Sequence, residues 1–185
     1  MQLSIITINL NNLNGLKSTI KSVINQSFSN FEHIIVDGGS SDGSLEYLKK
    51  LDGNTVRWLS EPDKGIYDAM NKGASMAKSE YLYFLNSGDE LVGPDALLEI
   101  ESHLDGTDLI YGNINIIDGV TKRTKKAPEK LSFRYLYDDL PAHQATFTKR
   151  TLFEELGGYD NKLKIVADWK FFALAVLKCN ASYKY

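Results

Sequence analysis

The chain of 185 residues has very little cysteine, since Cys179 is the single one. One thiol can neither close an internal disulfide nor supply a thiolate metal cluster, so a disulfide scaffold and a zinc finger are both excluded. This cysteine usage fits a protein that stays in a reducing cytoplasm. Because a free cysteine usually packs as a small apolar side chain, we expect Cys179 to lie in the core.

The sequence also lacks a long apolar run and an excess of one charge. Its longest apolar run, Phe171 to Leu177, is far shorter than the roughly 20 residues of a membrane-spanning helix, and the first residues lack the pattern of a secretion signal. Lys and Arg number 21 against 24 Asp and Glu, a net charge of −3. No basic field exists to attract nucleic acid, so we expect neither a nucleic-acid partner nor a transmembrane segment.

Enough apolar material is present for one folded domain, because 43% of the residues are hydrophobic and 11% are aromatic. Short β-branched runs alternate with stretches of helical period, which is the pattern of βαβ units around a parallel sheet. The pattern predicts strands over 3–9, 33–37, 56–61 and 81–85, and helices over 12–26, 44–51, 65–77 and 94–104. Either Asn12 or Asn14 is expected to cap the first helix.

The alternation weakens after residue 104. Residues 108–117 and 120–126 have strand character on either side of Asp118-Gly119, a strong signal for a two-residue hairpin turn, so the sheet is predicted to be mixed. The basic stretch 121–130 is most simply a solvated loop, with a patch for an anionic acceptor or lipid headgroups as the alternative. The remaining predicted elements are strands over 145–148 and 181–185 and helices over 151–156 and 168–178.

Polar residues follow all four strands of the N-terminal half. Ligands of an open α/β sheet bind outside the carboxyl ends of its strands, so these clusters are predicted to converge on one rim. Asp37 can accept hydrogen bonds from a base or a ribose, and the glycines after it allow a ligand to approach the backbone. Asp89 offers a hard oxygen for magnesium or manganese, with diphosphate oxygens completing the shell. Asp63 is either the cap of the following helix or part of this site.

Seven separated segments carry motifs that can be compared with known families. They are TINLNN over 7–12, VDGGSSDGS over 36–44, EPDKGIYDAMNKG over 61–73, FLNSGD over 84–89, HQ over 143–144, LGGYD over 156–160 and ADW over 167–169. In this order they resemble the family 2 glycosyltransferases with the GT-A fold, over residues 1 to about 180.

The resemblance implies an α/β fold of the GT-A type, a three-layer α/β/α sandwich with a mixed, mostly parallel central sheet and a Rossmann-like N-terminal half. It also implies a single catalytic domain over 1–185. Within that domain, residues 1–104 would form the nucleotide-sugar-binding half and residues 105–185 the acceptor-side half. Members of the family usually continue further, so the acceptor-side half is expected to be truncated at its C-terminus.

The resemblance also implies roles for particular residues. The nucleotide of the donor would be held by Thr7, Asn9, Asp37, Gly38, Ser41, Asp63, Lys64 and Asn71. The short acidic motif, here Asn86, Ser87, Gly88 and Asp89, would bind a divalent cation, manganese or magnesium, on the donor diphosphate. Asn86 stands where the commoner pattern has an acid, so Asp89 is expected to be the principal protein ligand.

Asp168 resembles the general base of inverting members of the family. A carboxylate within hydrogen-bond reach can take the proton that an acceptor hydroxyl loses as it attacks the anomeric carbon. From residue type alone, Asp168 is also explained as an N-cap or as a first-turn acid on a helix dipole. The resemblance places His143 and Gln144 on the acceptor side, whereas Trp169 either packs under a sugar ring or belongs to the core.

The leading hypothesis is an inverting transferase that moves a sugar from a nucleotide diphosphate donor, expected to be a UDP-sugar, to a hydroxyl of a saccharide or lipid-linked saccharide in cell-surface polysaccharide synthesis. A nicotinamide-dependent dehydrogenase is set aside, because Gly-x-Gly-x-x-Gly does not follow the first strand. An inactive nucleotide-sugar-binding module stays open because of Asn86. The expected location is cytoplasmic, with peripheral contact at the inner membrane face as an open alternative.

Overall fold

The computed structural model describes residues 1–51 and 56–185. In chain order its elements are β1 (Leu3–Asn9), α1 (Leu13–Ile24), β2 (Phe31–Asp37), α2 (Ser44–Leu48), β3 (Arg57–Ser60), α3 (Ile66–Met76), β4 (Tyr81–Phe84), α4 (Ala96–Glu101), β5 (Leu109–Tyr111), β6 (Ile114–Asp118), β7 (Thr121–Lys125), α5 (Phe133–Asp138), a 3₁₀ turn (His143–Ala145), β8 (Thr146–Lys149), α6 (Arg150–Glu155), α7 (Ala167–Ala173), a π-helical turn (Leu174–Lys178) and β9 (Tyr183–Lys184).

A seven-stranded sheet forms the centre of the fold, in the order β3-β2-β1-β4-β8-β5-β9. The first four strands are parallel to one another, while β8 runs antiparallel to both β4 and β5. All seven residues of β1 are buried, as expected for a run of apolar side chains in a central strand. The prediction of a mixed, mostly parallel sheet is confirmed.

Helices cover both faces of this sheet. On one face, Ile6 and Phe84 pack with residues of α3, α6 and α7. On the other face, Ile5 and Tyr83 pack with α1 and α4, and a neighbouring cluster joins α1 to α2 around Ile35. The period of two along each strand directs alternate side chains into the two layers. The three-layer α/β/α sandwich expected from the sequence is therefore present.

The structure differs from the prediction between residues 108 and 126. One strand was expected over 108–117, but the chain leaves the main sheet after β5, and the Gly112 backbone N–H bonds to the Ala145 carbonyl. β6 and β7 then form a separate two-stranded ribbon around the expected turn at Asp118-Gly119. The strand predicted over 120–126 is present as β7, so the loop expected over 121–130 applies only after Lys125; the side chains of β7 are mostly exposed, as a solvated segment requires.

Two further features escaped the sequence reasoning. α5 was not predicted, although Ser132 caps it by accepting from the Tyr135 backbone N–H. The prediction that Cys179 lies in the core is wrong, because Cys179 is exposed directly after the π-helical turn. The expectation rested on the general tendency of free cysteines to be buried, which does not determine the surroundings of one particular residue. No helix in the described ranges combines the length and apolar character that crossing a membrane requires.

Candidate active site

Asn9 joins the carboxyl ends of three neighbouring strands. Its Nδ2 donates to Oδ1 of Asp37, at the end of β2, over 2.8 Å. Its Oδ1 accepts from the hydroxyl of Ser87, after β4, over 2.8 Å. Because Asn9 is almost fully buried, this single amide fixes the spacing between the loop after β2 and the turn after β4. The predicted convergence of polar residues on one rim is present at these strand ends.

Asp37 lies beneath the rim rather than on it. It is fully buried, and its carboxylate also accepts from the hydroxyl and backbone N–H of Ser40 and from the hydroxyl of Ser60. Burial disfavours the charged form, but these hydrogen bonds and the one from Asn9 outweigh it and hold the pKa of Asp37 below its usual value. The geometry gives Asp37 the task of holding residues 38–43 in place and does not favour direct contact with a base or ribose.

Asp63 occupies the space beside Gly38. A Cβ added at Gly38 would overlap Oδ2 of Asp63. The loops after β2 and β3 therefore touch at this position, and a residue larger than glycine would not fit without moving Asp63. Oδ1 of Asp63 accepts from the Gly65 backbone N–H over 2.8 Å, just before α3. Asp63 is therefore not the cap of α3, whose N-cap is Gly65 without a side-chain cap bond; its Oδ1 supports the turn just before the helix. A role of Asp63 in the nucleotide site stays a prediction.

The turn formed by residues 86–89 is pinned to α1. The Thr19 hydroxyl donates to the Asp89 carbonyl over 2.7 Å and accepts from the Gly88 backbone N–H over 2.9 Å. The Asn12 amide donates to a carbonyl of the same turn over 3.0 Å. Gly88 has a φ of +103°, a left-handed conformation that favours glycine. The shape of the expected metal-binding motif is thus set by α1.

Asp89 and Asn86 are the candidates for a divalent cation. Burial raises the pKa of Asp89, an effect partly offset by His143 and by a hydrogen bond from Gln144. Oδ1 of Asn86 is buried without a hydrogen-bond partner among the described residues, so its capacity as an acceptor is unused. Within residues 1–51 and 56–185, no three His, Cys, Asp or Glu side chains are arranged so that together they could hold a metal ion. The donor set fits a cation bound jointly with a diphosphate and not one held by protein alone.

Asp168 lies in the first turn of α7, and three groups contact its carboxylate. Oδ1 accepts from the Tyr67 hydroxyl over 2.8 Å and from the Trp169 backbone N–H over 3.0 Å. Oδ2 lies 3.5 Å from Nδ1 of His143. Burial disfavours ionisation, but the contacts from His143, Tyr67 and Trp169 outweigh it and hold the pKa of Asp168 below its usual value. The group is therefore a carboxylate at neutral pH and can accept a proton.

The backbone just before α7 is strained. Val166 has a φ of +68°, a left-handed conformation that β-branched residues rarely adopt. The buried residues Ala167 and Phe171 hold the helix that follows against the core. Strain of about 1 kcal/mol or more is thereby retained one residue before Asp168, and such strain tends to occur at functional sites.

His143 lies between the carboxylate of Asp168 and the turn that carries Asp89. Its Nδ1 faces Asp168, and its Nε2 lies 3.2 Å from Nδ2 of Asn86. The Tyr83 hydroxyl, on β4, donates to the Gln144 carbonyl over 2.8 Å and so fixes this 3₁₀ turn to the sheet. The two residues expected on the acceptor side therefore also contact the turn that carries Asp89.

The other predicted site residues lie at different depths. Trp169 is 37% exposed, and its indole N–H donates to the Leu136 carbonyl of α5, so it is not a core residue, and packing under a sugar ring stays a prediction. Lys64 and Ser41 are exposed. The Ser41 backbone N–H bonds to Asn11 Oδ1 over 2.9 Å, which joins its loop to the end of β1.

Thr7 and Asn71 have structural partners instead of facing the rim. The Thr7 hydroxyl is fully buried and lies 2.9 Å from Nε2 of His33. The Asn71 amide bonds at both ends to the backbone of Tyr159, donating over 2.7 Å and accepting over 2.9 Å. A Cβ at Gly158 would overlap Oδ1 of Asn71, so this pairing also explains a glycine of the LGGYD segment. Neither geometry favours nucleotide contact for these two residues.

Sequence reasoning missed three contributors to the site. Tyr67 lies within the EPDKGIYDAMNKG segment but was overlooked because its partner is distant in the sequence. Ser40 and Ser60 were treated as turn and strand residues, although both saturate the carboxylate of Asp37. A signal existed for Tyr67 and Ser40, since both lie inside the quoted motifs, whereas Ser60 had none.

A scan of family models matches residues 4–161 to the model described as "Glycosyl transferase family 2". An uncharacterized glycosyltransferase of Mycobacterium tuberculosis is 36% identical over 181 residues, which are 95% of this chain and 69% of that protein. A PGL/p-HBAD biosynthesis glycosyltransferase of Mycobacterium bovis is 33% identical over 174 residues, covering 91% of this chain and 67% of that protein.

Solved structures with the same fold include TarS residues 1–349 of S. aureus in complex with UDP, with a TM-score of 0.81 at 20% identity. That match covers the whole of this chain and 57% of TarS 1–349. The mannosyltransferase PcManGT of Pyrobaculum calidifontis, in complex with GDP-Man and Mn²⁺, matches with a TM-score of 0.74 at 15% identity over 99% of this chain and 54% of that one.

The fold and the matched family define the class, a glycosyltransferase of the GT-A type. The chain belongs to glycosyl transferase family 2. It spans about two thirds of the length of the mycobacterial relatives and just over half of the TarS chain.

Proposed function

We propose that the protein transfers a sugar, with inversion, from a nucleotide diphosphate donor to a hydroxyl of a saccharide acceptor in the synthesis of a cell-surface polysaccharide. One observation carries the proposal: Asp168 is an ionised carboxylate beside His143, and the same imidazole faces the turn that holds Asp89. The general base for the acceptor and the motif for the donor diphosphate thus both lie next to His143. A direct displacement requires these two groups to lie close together.

Asp168 is the proposed general base. The acceptor hydroxyl gives its proton to this carboxylate as its oxygen forms the bond to the anomeric carbon. The bond from that carbon to the diphosphate oxygen breaks on the opposite side, and its electron pair leaves with the nucleotide diphosphate. A single displacement of this kind inverts the anomeric centre.

Asp89 and Asn86 are proposed to hold a manganese or magnesium ion together with the donor diphosphate. When bound, such an ion neutralises charge on the leaving group. The unpartnered Oδ1 of Asn86 supports a role for this residue although it replaces an acid. His143 and Gln144 keep the carboxylate of Asp89 in place from the acceptor side.

The nucleotide is proposed to lie over the loops after β1, β2 and β3, with Asp63 and Gly38 beneath its nucleobase. UDP is the proposed nucleotide because TarS is described in complexes with UDP and with UDP-GlcNAc, although PcManGT is described with GDP-Man. The acceptor is proposed to be a saccharide or a lipid-linked saccharide, since the M. bovis relative bears the name of a PGL/p-HBAD biosynthesis enzyme. The proposed location is the cytoplasm, with peripheral contact at the inner membrane face.

The test compares turnover with binding. With UDP-sugars and Mn²⁺, the protein should release UDP slowly without acceptor and faster with a suitable one. Asp168→Asn should abolish the release and keep UDP affinity within about twofold, whereas Asp118→Asn, a matched change in the exposed hairpin turn, should alter neither. If the unchanged protein binds UDP-sugars but never releases UDP across a broad acceptor panel, the inactive binding module is the correct function.

A further inference from the structure

Tyr67, on α3, contacts Asp168, on α7, through a side-chain hydrogen bond. It lies in the first turn of α3, is only 9% exposed, and packs its ring on Tyr159 at a centroid distance of 5.4 Å. Its hydroxyl donates to Oδ1 of Asp168 over 2.8 Å. Burial and the nearby carboxylate raise the pKa of Tyr67 to about 12, so it remains a donor at neutral pH.

The two oxygens of Asp168 are therefore not equivalent. Oδ1 holds two donors, the Tyr67 hydroxyl and the Trp169 backbone N–H at 3.0 Å. Oδ2 has, among the described residues, only His143 Nδ1 at 3.5 Å, which is beyond the length of a normal hydrogen bond. The side chain of Asp168 retains 18% exposure, so an acceptor hydroxyl can reach it.

We propose that Tyr67 is a positioning residue that occupies Oδ1 of Asp168 and thereby makes Oδ2 the oxygen that receives the acceptor proton. The inference rests on the proposed role of Asp168 as general base. The acceptor O–H bond breaks as its proton passes to Oδ2, and the acceptor oxygen forms the new bond to the anomeric carbon. The old bond breaks with its electron pair on the diphosphate oxygen. Tyr67 exchanges no proton in this step.

Tyr67 also connects the general base, Asp168, to the strand-end loops proposed to hold the donor. α3 begins two residues after Lys64 and one after Gly65, whose backbone N–H is held by Asp63. The same helix turn thus supports the proposed nucleotide contact at its start and the orientation of Asp168 through Tyr67. A carboxylate free to rotate would present either oxygen, and a misplacement of even about 1 Å is costly in a displacement reaction.

The experiment uses Tyr67→Phe, which keeps the packed ring and removes the hydroxyl. We expect kcat for UDP release to fall about 10- to 100-fold, the range for loss of one hydrogen bond to a charged group, while KM for the donor and UDP affinity stay within about twofold. Tyr111→Phe is the matched control, because it removes a buried hydroxyl that donates to the Pro128 carbonyl over 2.9 Å, away from Asp168. Its kcat should be unchanged.

A pH profile separates positioning from a purely structural role. Among the described residues, the titratable groups that face Asp168 are Tyr67, Tyr159 and His143. Loss of a donor to the carboxylate raises the pKa of Asp168, so the acidic limb of the kcat profile should move to higher pH in Tyr67→Phe. A lower kcat with a lower melting temperature and an unmoved limb would overturn the inference, as would an unchanged kcat.

The proposed function and this inference fail in different ways. Activity that survives Asp168→Asn would refute the general base and both proposals with it. An inactive Asp168→Asn together with a fully active Tyr67→Phe would refute only the positioning role. Loss of UDP affinity in Tyr67→Phe would also refute it, because the hydroxyl would then act on the donor site.

Discussion

Asn9 donates from Nδ2 to Oδ1 of Asp37 over 2.8 Å and accepts from Ser87 through its other amide atom. The two loops proposed to hold the nucleotide and the diphosphate are therefore joined through one side chain, that of Asn9, which is itself paired with Asp37 in the β1–β2 register. Neither loop can therefore move without shifting or breaking a hydrogen bond to the Asn9 amide.

Asn9→Ala should lower both stability and UDP affinity. The change leaves the buried carboxylate of Asp37 one donor short and leaves the Ser87 hydroxyl only the Asn12 carbonyl as acceptor, so we expect the free energy of unfolding to fall by about 1–3 kcal/mol. Chemical denaturation and calorimetric titration with UDP measure the two effects. Asn115→Ala, which removes an exposed hydrogen bond to Thr124, is the matched control and should cost less than about 0.5 kcal/mol. Equal losses in the two variants would contradict a bridging role for Asn9.

Gly38→Ala should weaken UDP binding more than it affects folding. The new methyl group would overlap Oδ2 of Asp63, so that carboxylate has to move from the rim. We expect a roughly 10-fold loss of affinity, the cost of about 1.4 kcal/mol. Gly112→Ala is the control, since it makes the same change with no atom within 4 Å and again without a positive φ. Unaltered UDP affinity in Gly38→Ala would show that Asp63 does not contact the nucleotide.

Asp89→Asn should remove the dependence of UDP affinity on Mn²⁺. An amide keeps the shape of the side chain but supplies a neutral ligand, so the gain in affinity on adding Mn²⁺ should fall at least about 10-fold. Isothermal titration with and without the ion measures it. Glu90→Gln, the same change at the exposed neighbouring residue, should retain the full gain. Retention in Asp89→Asn would place the cation elsewhere.

Acid should destabilise the protein through His33. Burial lowers the pKa of His33 from 6.5 to about 4, so between these values the unfolded chain binds a proton that the folded chain does not. Stability should therefore be lost as pH falls from 6.5 to 4, by roughly 3 kcal/mol at most, and this contribution should stay constant below pH 4. Hydrogen-bonded carboxylates with lowered pKa values, such as Asp37, lose their stabilisation at lower pH.

His33→Gln should reduce the loss of stability between pH 6.5 and 4, because glutamine does not titrate and still offers a polar atom to Thr7. Urea unfolding at several pH values gives the free energy of unfolding as a function of pH. The slope of this dependence, and not the absolute stability, is compared between the variants. His103→Gln, at a partly exposed histidine, should keep the slope. A similar slope in both variants would mean that another group carries the acid sensitivity.

The fold was predictable where local patterns decide it. The apolar run of β1, the cap at Asn12 and the glycine-rich loop after β2 are local signals, and all of them lie where expected. The break after Tyr111 was missed although Gly112 and Asn113 are residue types that strands disfavour, because apolar β-branched residues stand on both sides of them. Cys179 was misplaced because residue type alone was used, and its exposure depends on where the chain runs after the π-helical turn.

The candidate site was predictable in its residue types and less so in its geometry. Motif order identified Asp89 and Asp168, and both lie beside His143. The burial of Asp37 under four donors and the use of both ends of the Asn71 amide depend on partners from other parts of the chain. A sequence names such residues but does not say whether they face a ligand or one another.

The insertion of β8 between β4 and β5 has a consequence for how the chain folds. β4 receives its second neighbour only when Thr148 pairs with Leu82, a contact between distant parts of the sequence whose closure slows folding. Until then β4 is an open edge in the middle of the final sheet, and open edges associate with other chains. A fragment of residues 1–104 is therefore expected to aggregate instead of forming an independent nucleotide-binding unit.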